Sequence, residues 1–141
     1  KARTLQLVED VIDQGIPILG SIAAGGLIES YDDVREQLDV KDIFEKKGVF
    51  ALTVNGDSMV DAFIADGDTV LMEPVESAYY LKNGSIVSAL VPGLGTTLKY
   101  FFKKGSEIRL EAANSNYEPI VLNTDQVQIQ GKLLAVWRRT N

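Results

Sequence analysis

Two side chains in this sequence are suited to work as a pair, Ser58 and Lys99. Ser58 is one of eight serines, most of which sit in polar loops. It follows the apolar run Val49–Val54 and the turn Asn55-Gly56-Asp57, and it precedes the amphipathic run Met59-Val60-Asp61-Ala62-Phe63-Ile64. A serine there is expected at the first turn of a short helix, where unpaired backbone N–H groups point outward. Such donors can stabilise the oxyanion of an acyl-transfer intermediate. The structural alternative is that Asp57 or Ser58 only caps the helix. Lys99 lies inside Thr96-Thr97-Leu98-Lys99-Tyr100-Phe101-Phe102, where alternation puts Thr97, Lys99 and Phe101 on one face. Burial disfavours an ammonium, and a neutral amine can take the proton of a serine hydroxyl. The alternative is that Lys99 snorkels to the edge of the sheet.

The residue types that are missing make this pairing more telling. The chain has 141 residues, no histidine and no cysteine. A Ser-His-Asp triad, a thiolate zinc site and a disulfide framework are all excluded. Hydrolytic chemistry must then use serine or threonine with a lysine or carboxylate partner, and no cofactor or metal is expected. The length and the 45% apolar composition suit one globular domain with a real core. The net charge of −6 argues against this domain gripping a nucleic acid backbone by itself. The charge is uneven: residues 1–76 hold 6 basic and 16 acidic side chains, residues 77–141 hold 8 and 4. That asymmetry either orients a partner or reflects two differently solvated faces. No uncharged apolar run reaches the roughly 18–20 residues of a membrane helix, and no signal-peptide pattern opens the chain. A cytoplasmic location and no membrane partner are expected. The first residue is Lys1 rather than a methionine, so a segment upstream is expected.

The elements that must hold the pair read as strands. After an acidic opening, Lys1–Gly15, expected as a linker or a short, weakly helical arm, Pro17–Ile22 reads as extended and Ala23-Ala24-Gly25-Gly26 as a small flexible patch. Asp32–Phe44 is expected to hold a helical turn or two. From Gly48 onward, Val49–Val54, Thr69–Met72, Ser85–Val91, Thr96–Phe102, Glu107–Ala112 and Val127–Val136 are short runs set off by glycine, proline or asparagine. The fold class expected is mainly β, a single distorted barrel or sandwich of short, mostly antiparallel strands with one or two short helices.

Ala24-Gly25, the turn Gly56-Asp57-Ser58-Met59 and Lys99, in this order and spacing, resemble the C-terminal domain of LexA-type repressors, self-cleaving members of the Ser–Lys peptidase group. The likeness continues through Ile64-Ala65-Asp66-Gly67-Asp68, Asn83-Gly84-Ser85-Ile86-Val87, Thr97-Leu98-Lys99-Tyr100, Glu111-Ala112-Ala113-Asn114-Ser115-Asn116-Tyr117 and Pro119-Ile120. Each motif alone is weak; the ordered set is specific. The resemblance implies Ser58 as nucleophile, Lys99 as general base, Ala24–Gly25 as the scissile bond and the Met59 backbone N–H as an oxyanion donor. It implies an interdomain linker over residues 1–15 and a self-cleavage and dimerisation domain over residues 16–141, with an N-terminal winged helix-turn-helix upstream that binds operator DNA. It further implies a homodimer built through Val127–Leu134, and a RecA filament on single-stranded DNA that favours docking of the cleavage loop. Loss of repression of DNA-damage genes would follow. Asp57 is a departure from some relatives: its charge is expected either to retard alkoxide formation or to stabilise the Lys99 ammonium. Two other readings stay open, a UmuD-like self-processing accessory protein and a non-cleaving dimerisation module.

Overall fold

Turn-forming residues decide where the strands end. The structure, a computed structural model, describes residues 15–22, 28–30 and 36–140. The chain divides into two compact units, residues 1–47 and 48–141. In the first, β1 (Ile16–Ile18) pairs antiparallel with β4 (Glu36–Leu38), and β2 (Gly20–Ile22) with β3 (Ile28–Ser30). A short helix follows, α1 (Val40–Glu45). Asp39 starts it by accepting a hydrogen bond from the Asp42 N–H at 3.1 Å, and Lys41 pairs with Glu45 one turn on at 3.6 Å. The helical turn or two expected within Asp32–Phe44 is this helix, which begins at Val40; Glu36–Leu38 before it is strand, and residues 32–35 lie outside the described residues. The apolar spacing does not keep a helical period there, so pairing with β1 prevails.

The second unit is an antiparallel sheet, as the sequence reading expects. Its strands are β5 (Phe50–Thr53), β6 (Thr69–Pro74), β7 (Ser85–Val91), β8 (Gly95–Lys104), β9 (Glu107–Glu111), β10 (Ile120–Asn123) and β11 (Gln128–Trp137). They lie in the order β10-β9-β8-β7-β11-β6-β5. The last strand thus enters the middle of the sheet, paired with β7 on one side and β6 on the other. The short strand β10, three apolar residues and an asparagine after Pro119, is not among the runs singled out in the sequence.

Alternating side chains send apolar groups to both faces. Val87, Ala89, Val91, Phe101, Ile108, Leu110 and Ile129 form one buried cluster. Met59, Ile64, Val70, Met72 and Ala113 form the other, with Phe50, Leu52, Ile86, Leu98 and Tyr100 packed against it. Phe101 is wholly buried, and truncating such a ring costs about 3–5 kcal/mol. Register shifts at Ile129/Gly131 and Leu133/Ala135 bend β11. Gly131 is required there, because a Cβ would meet the Phe50 ring at 2.8 Å.

Candidate active site

Lys99 sits near the middle of the ten-residue strand β8, opposite Val87 of β7, and is only 6% exposed. It does not snorkel to solvent. Its Nζ donates to Ser58 Oγ at 3.1 Å, to Thr97 Oγ1 at 2.5 Å and to the Leu98 carbonyl at 3.1 Å. Those three bonds use every donor of an ammonium. Burial among these neutral groups pushes the Lys99 pKa below its ordinary value of 10.5.

Ser58 reaches that amine from an irregular loop between β5 and β6. The expected short helix is a single 3-10 turn, Val60–Ala62, led by Met59 with no side-chain cap. Ser58 is therefore not a capping residue; its hydroxyl faces the amine. Among the described residues nothing accepts from the Ser58 or Met59 N–H, which leaves two donors beside the hydroxyl. A cleft of about 210 Å³ opens here, lined by Ser58, Met59, Thr97, Leu98 and the edge-strand residues Leu52 and Thr53.

With so little regular structure, the loop is held by its buried Met59 and Ile64 and by polar side chains. Gly56, at φ 101°, turns the chain and donates its N–H to Asp66 Oδ1 at 2.6 Å. Asp68 is 2% exposed and accepts from the Ala65 N–H at 2.8 Å. Arg138, just past β11, grips it with Nε and Nη2, each at 2.7 Å, and also reaches the Phe63 carbonyl at 3.3 Å. The Arg138 hydrogen bond foremost, then the Ala65 N–H, lowers the Asp68 pKa to about 2. On the other flank the Asp61 N–H donates to the Ala113 carbonyl at 2.8 Å. Asn114 Nδ2 donates to the Asp57 carbonyl at 2.9 Å, and Tyr117 Oη donates to Asp57 Oδ1 at 2.5 Å. The Asp57 hydrogen bond raises the Tyr117 pKa above its ordinary value.

The structure thus brings Ser58 and Lys99 into hydrogen-bonding contact, 41 positions apart in sequence. Ala24 and Gly25 lie outside the described residues. Thr97, Asp68, Arg138, Asn114 and Tyr117 were not assigned roles by sequence reasoning. Thr97 shares the face of Lys99 by strand alternation, so that signal was present; nothing local marks Arg138. Among the described residues, no helix is long and apolar enough to cross a membrane.

Residues 17–134, which include Ser58 and Lys99, match the family model described as Peptidase S24-like. The LexA repressor of Clostridium novyi (strain NT) is 39% identical over 145 residues, 99% of this chain and 69% of the relative. That of Koribacter versatilis (strain Ellin345) is 40% identical over 129 residues, 92% of this chain and 60% of the relative. That of Paramagnetospirillum magneticum (strain ATCC 700264 / AMB-1) is 43% identical over 125 residues, 88% and 52%. The chain spans between about half and two thirds of the length of these relatives. A buried lysine facing a loop serine, inside a match that covers most of the chain, shows that this chain belongs to the LexA-type members of the Peptidase S24-like family.

Proposed function

We propose that Ser58 and Lys99 form a self-cleaving peptidase dyad that cuts the Ala24–Gly25 bond and so inactivates a repressor. The observation that carries this reading is the 3.1 Å contact between the Ser58 hydroxyl and an amine only 6% exposed. In its neutral form Lys99 keeps two N–H groups, which the Leu98 carbonyl and Thr97 hydroxyl can accept. Its lone pair is then left for the Ser58 proton. Ser58 Oγ attacks the Ala24 carbonyl carbon as its proton passes to Nζ. The oxyanion forms beside the N–H groups of Ser58 and Met59. Collapse breaks the Ala24–Gly25 bond, Lys99 returns the proton to the Gly25 amine, and water then hydrolyses the Ser58–Ala24 ester. Because the scissile bond belongs to the same chain, no intermolecular encounter is needed.

In the full-length protein, an N-terminal domain would bind operator DNA and the present domain would dimerise. A RecA filament on single-stranded DNA would favour the cleavable conformation, linking cleavage to the SOS response to DNA damage. β11 is paired on both sides over Gly131–Lys132 but only with β6 over Ala135–Trp137, so a dimer along this strand would use that other edge together with side chains such as the exposed Trp137. Intact-mass analysis after incubation at pH 7 and pH 10 tests the chemistry. Fragments ending at Ala24 and beginning at Gly25, absent from Ser58→Ala and Lys99→Ala, are expected. A chain intact at both pH values, with or without added RecA filament, would contradict the reading and favour a non-cleaving regulatory module.

A further inference from the structure

The residue before Ser58 carries a negative charge, yet no acid is bonded to Lys99. Were the Asp57 carboxylate to turn toward the amine, it would stabilise the ammonium and remove the base. Its oxygen is instead held by the Tyr117 hydroxyl at 2.5 Å, while its backbone carbonyl is held by Asn114 at 2.9 Å. Asn114 is itself oriented by the Asn116 N–H, which donates to its Oδ1 at 3.0 Å, and Tyr117 is turned back by an N–H bond to the Asn114 carbonyl at 3.2 Å. The segment Ala113–Tyr117 is therefore folded against the Ser58 loop at three points: the Asp61 N–H, the Asp57 carbonyl and the Asp57 carboxylate.

The other charged and titratable groups around Lys99 are engaged or turned away. Glu111 of β9 is bonded to Arg109 at 2.9 Å. Asp66 and Asp68 hold the Gly56 N–H and Arg138. Asp61 is exposed, Tyr100 alternates to the opposite face of β8, and β7 presents Val87. Asp57, next to Ser58, is the acid whose orientation rests on a single side-chain bond, that from the Tyr117 hydroxyl.

Resting on the dyad reading above, we infer that Tyr117 is a positioning residue whose hydroxyl holds the Asp57 carboxylate away from Lys99, keeping the amine without a counter-ion and free to accept the Ser58 proton. This gives the Asn114–Tyr117 motif a task and explains how an acid is tolerated next to the nucleophile.

The test follows the Lys99 Cε resonance by NMR between pH 6 and 12 in the 141-residue chain carrying Ser58→Ala, which removes the proposed nucleophile. Tyr117→Phe is expected to raise the titration midpoint by about 0.5 to 1 on the pH scale, the effect of a carboxylate moving to within several ångströms. Adding Asp57→Asn should return the midpoint to its starting value, and Asp57→Asn alone should move it little. Tyr117 is 44% exposed, so loss of its hydroxyl leaves the core intact. In the chain that keeps Ser58, the midpoint of the pH–rate curve for cleavage should move upward with Tyr117→Phe and return with Asp57→Asn added. An unmoved midpoint, or a shift that persists in the double variant, would overturn the inference. Failure of the dyad reading would show separately, as a Ser58 chain that never cleaves, and would leave the titration readable.

Discussion

Lys99 and Ser58 meet at one hydrogen bond but are placed by different means. Lys99 belongs to a strand with neighbours on both sides, and its position is set by the backbone ladder of β7, β8 and β9 together with burial. Ser58 belongs to a loop with one 3-10 turn, tied by its own carboxylates Asp66 and Asp68 and by Arg138 from the far end of the chain. The base is thus fixed by sheet and core, the nucleophile by polar tethers together with the buried Met59 and Ile64 of its own loop. Damage to the tethers should move the serine and leave the lysine in place.

Arg138→Ala is expected to have the largest effect. It strips Asp68, 2% exposed, of its partner, and a buried carboxylate left unpaired is strongly destabilising. The urea midpoint at pH 7 should fall clearly and the cleavage rate by tenfold or more, while Lys99 still titrates below 10.5. The acid limb gives the sign. Because the Asp68 pKa is lowered to about 2 from 3.8, its contribution is full above about pH 4 and is lost as pH falls toward 2. That loss in the urea midpoint should shrink in Arg138→Ala.

Lys99→Met should act in the opposite sense on stability. Cleavage disappears, but an amine that is costly to charge when buried is removed. Its lowered pKa means the folded state binds fewer protons than the unfolded chain as pH approaches 10.5, so wild-type stability rises with pH there. Urea unfolding should find Lys99→Met more stable than wild type at pH 7, with the gap narrowing toward pH 10.5. A constant gap would mean the amine is not held at a cost.

The smallest effect is expected at Phe63, which ends the 3-10 turn at φ 62° with its ring 86% exposed. A left-handed conformation strains a side chain that buries little in return. Phe63→Gly should therefore change stability by less than about 1 kcal/mol in thermal unfolding. A large loss would show that the ring contributes to the loop.

The same contrast governs what could be read from the sequence. Strands β5 to β9 and β11 were legible because most are short apolar runs set off by glycine, proline or asparagine, and Lys99 stood out as a charge within such a run. Ser58 was legible by its place after a turn, but its surroundings were expected to be helical. A helix there would supply its own order; the observed loop borrows it from Asp66, Asp68, Arg138, Asn114 and Tyr117. Asp66 and Asp68 are local and fall in a quoted motif, but the pairing of Arg138 with Asp68 across 70 positions and of Asn114 with Asp57 across 57 leaves no local signal, so only the fold reveals it. The cleavage pair rests on the family resemblance, since Ala24 and Gly25 lie outside the described residues.

The most direct measurement is the rate of self-cleavage across pH 6 to 11, followed by intact mass at several protein concentrations. The expected result is a concentration-independent rate that rises to a plateau with a midpoint below 10.5 and vanishes in Ser58→Ala and Lys99→Met. A rate that ignores pH, or cleavage that survives Lys99→Met, would contradict a buried lysine as the base.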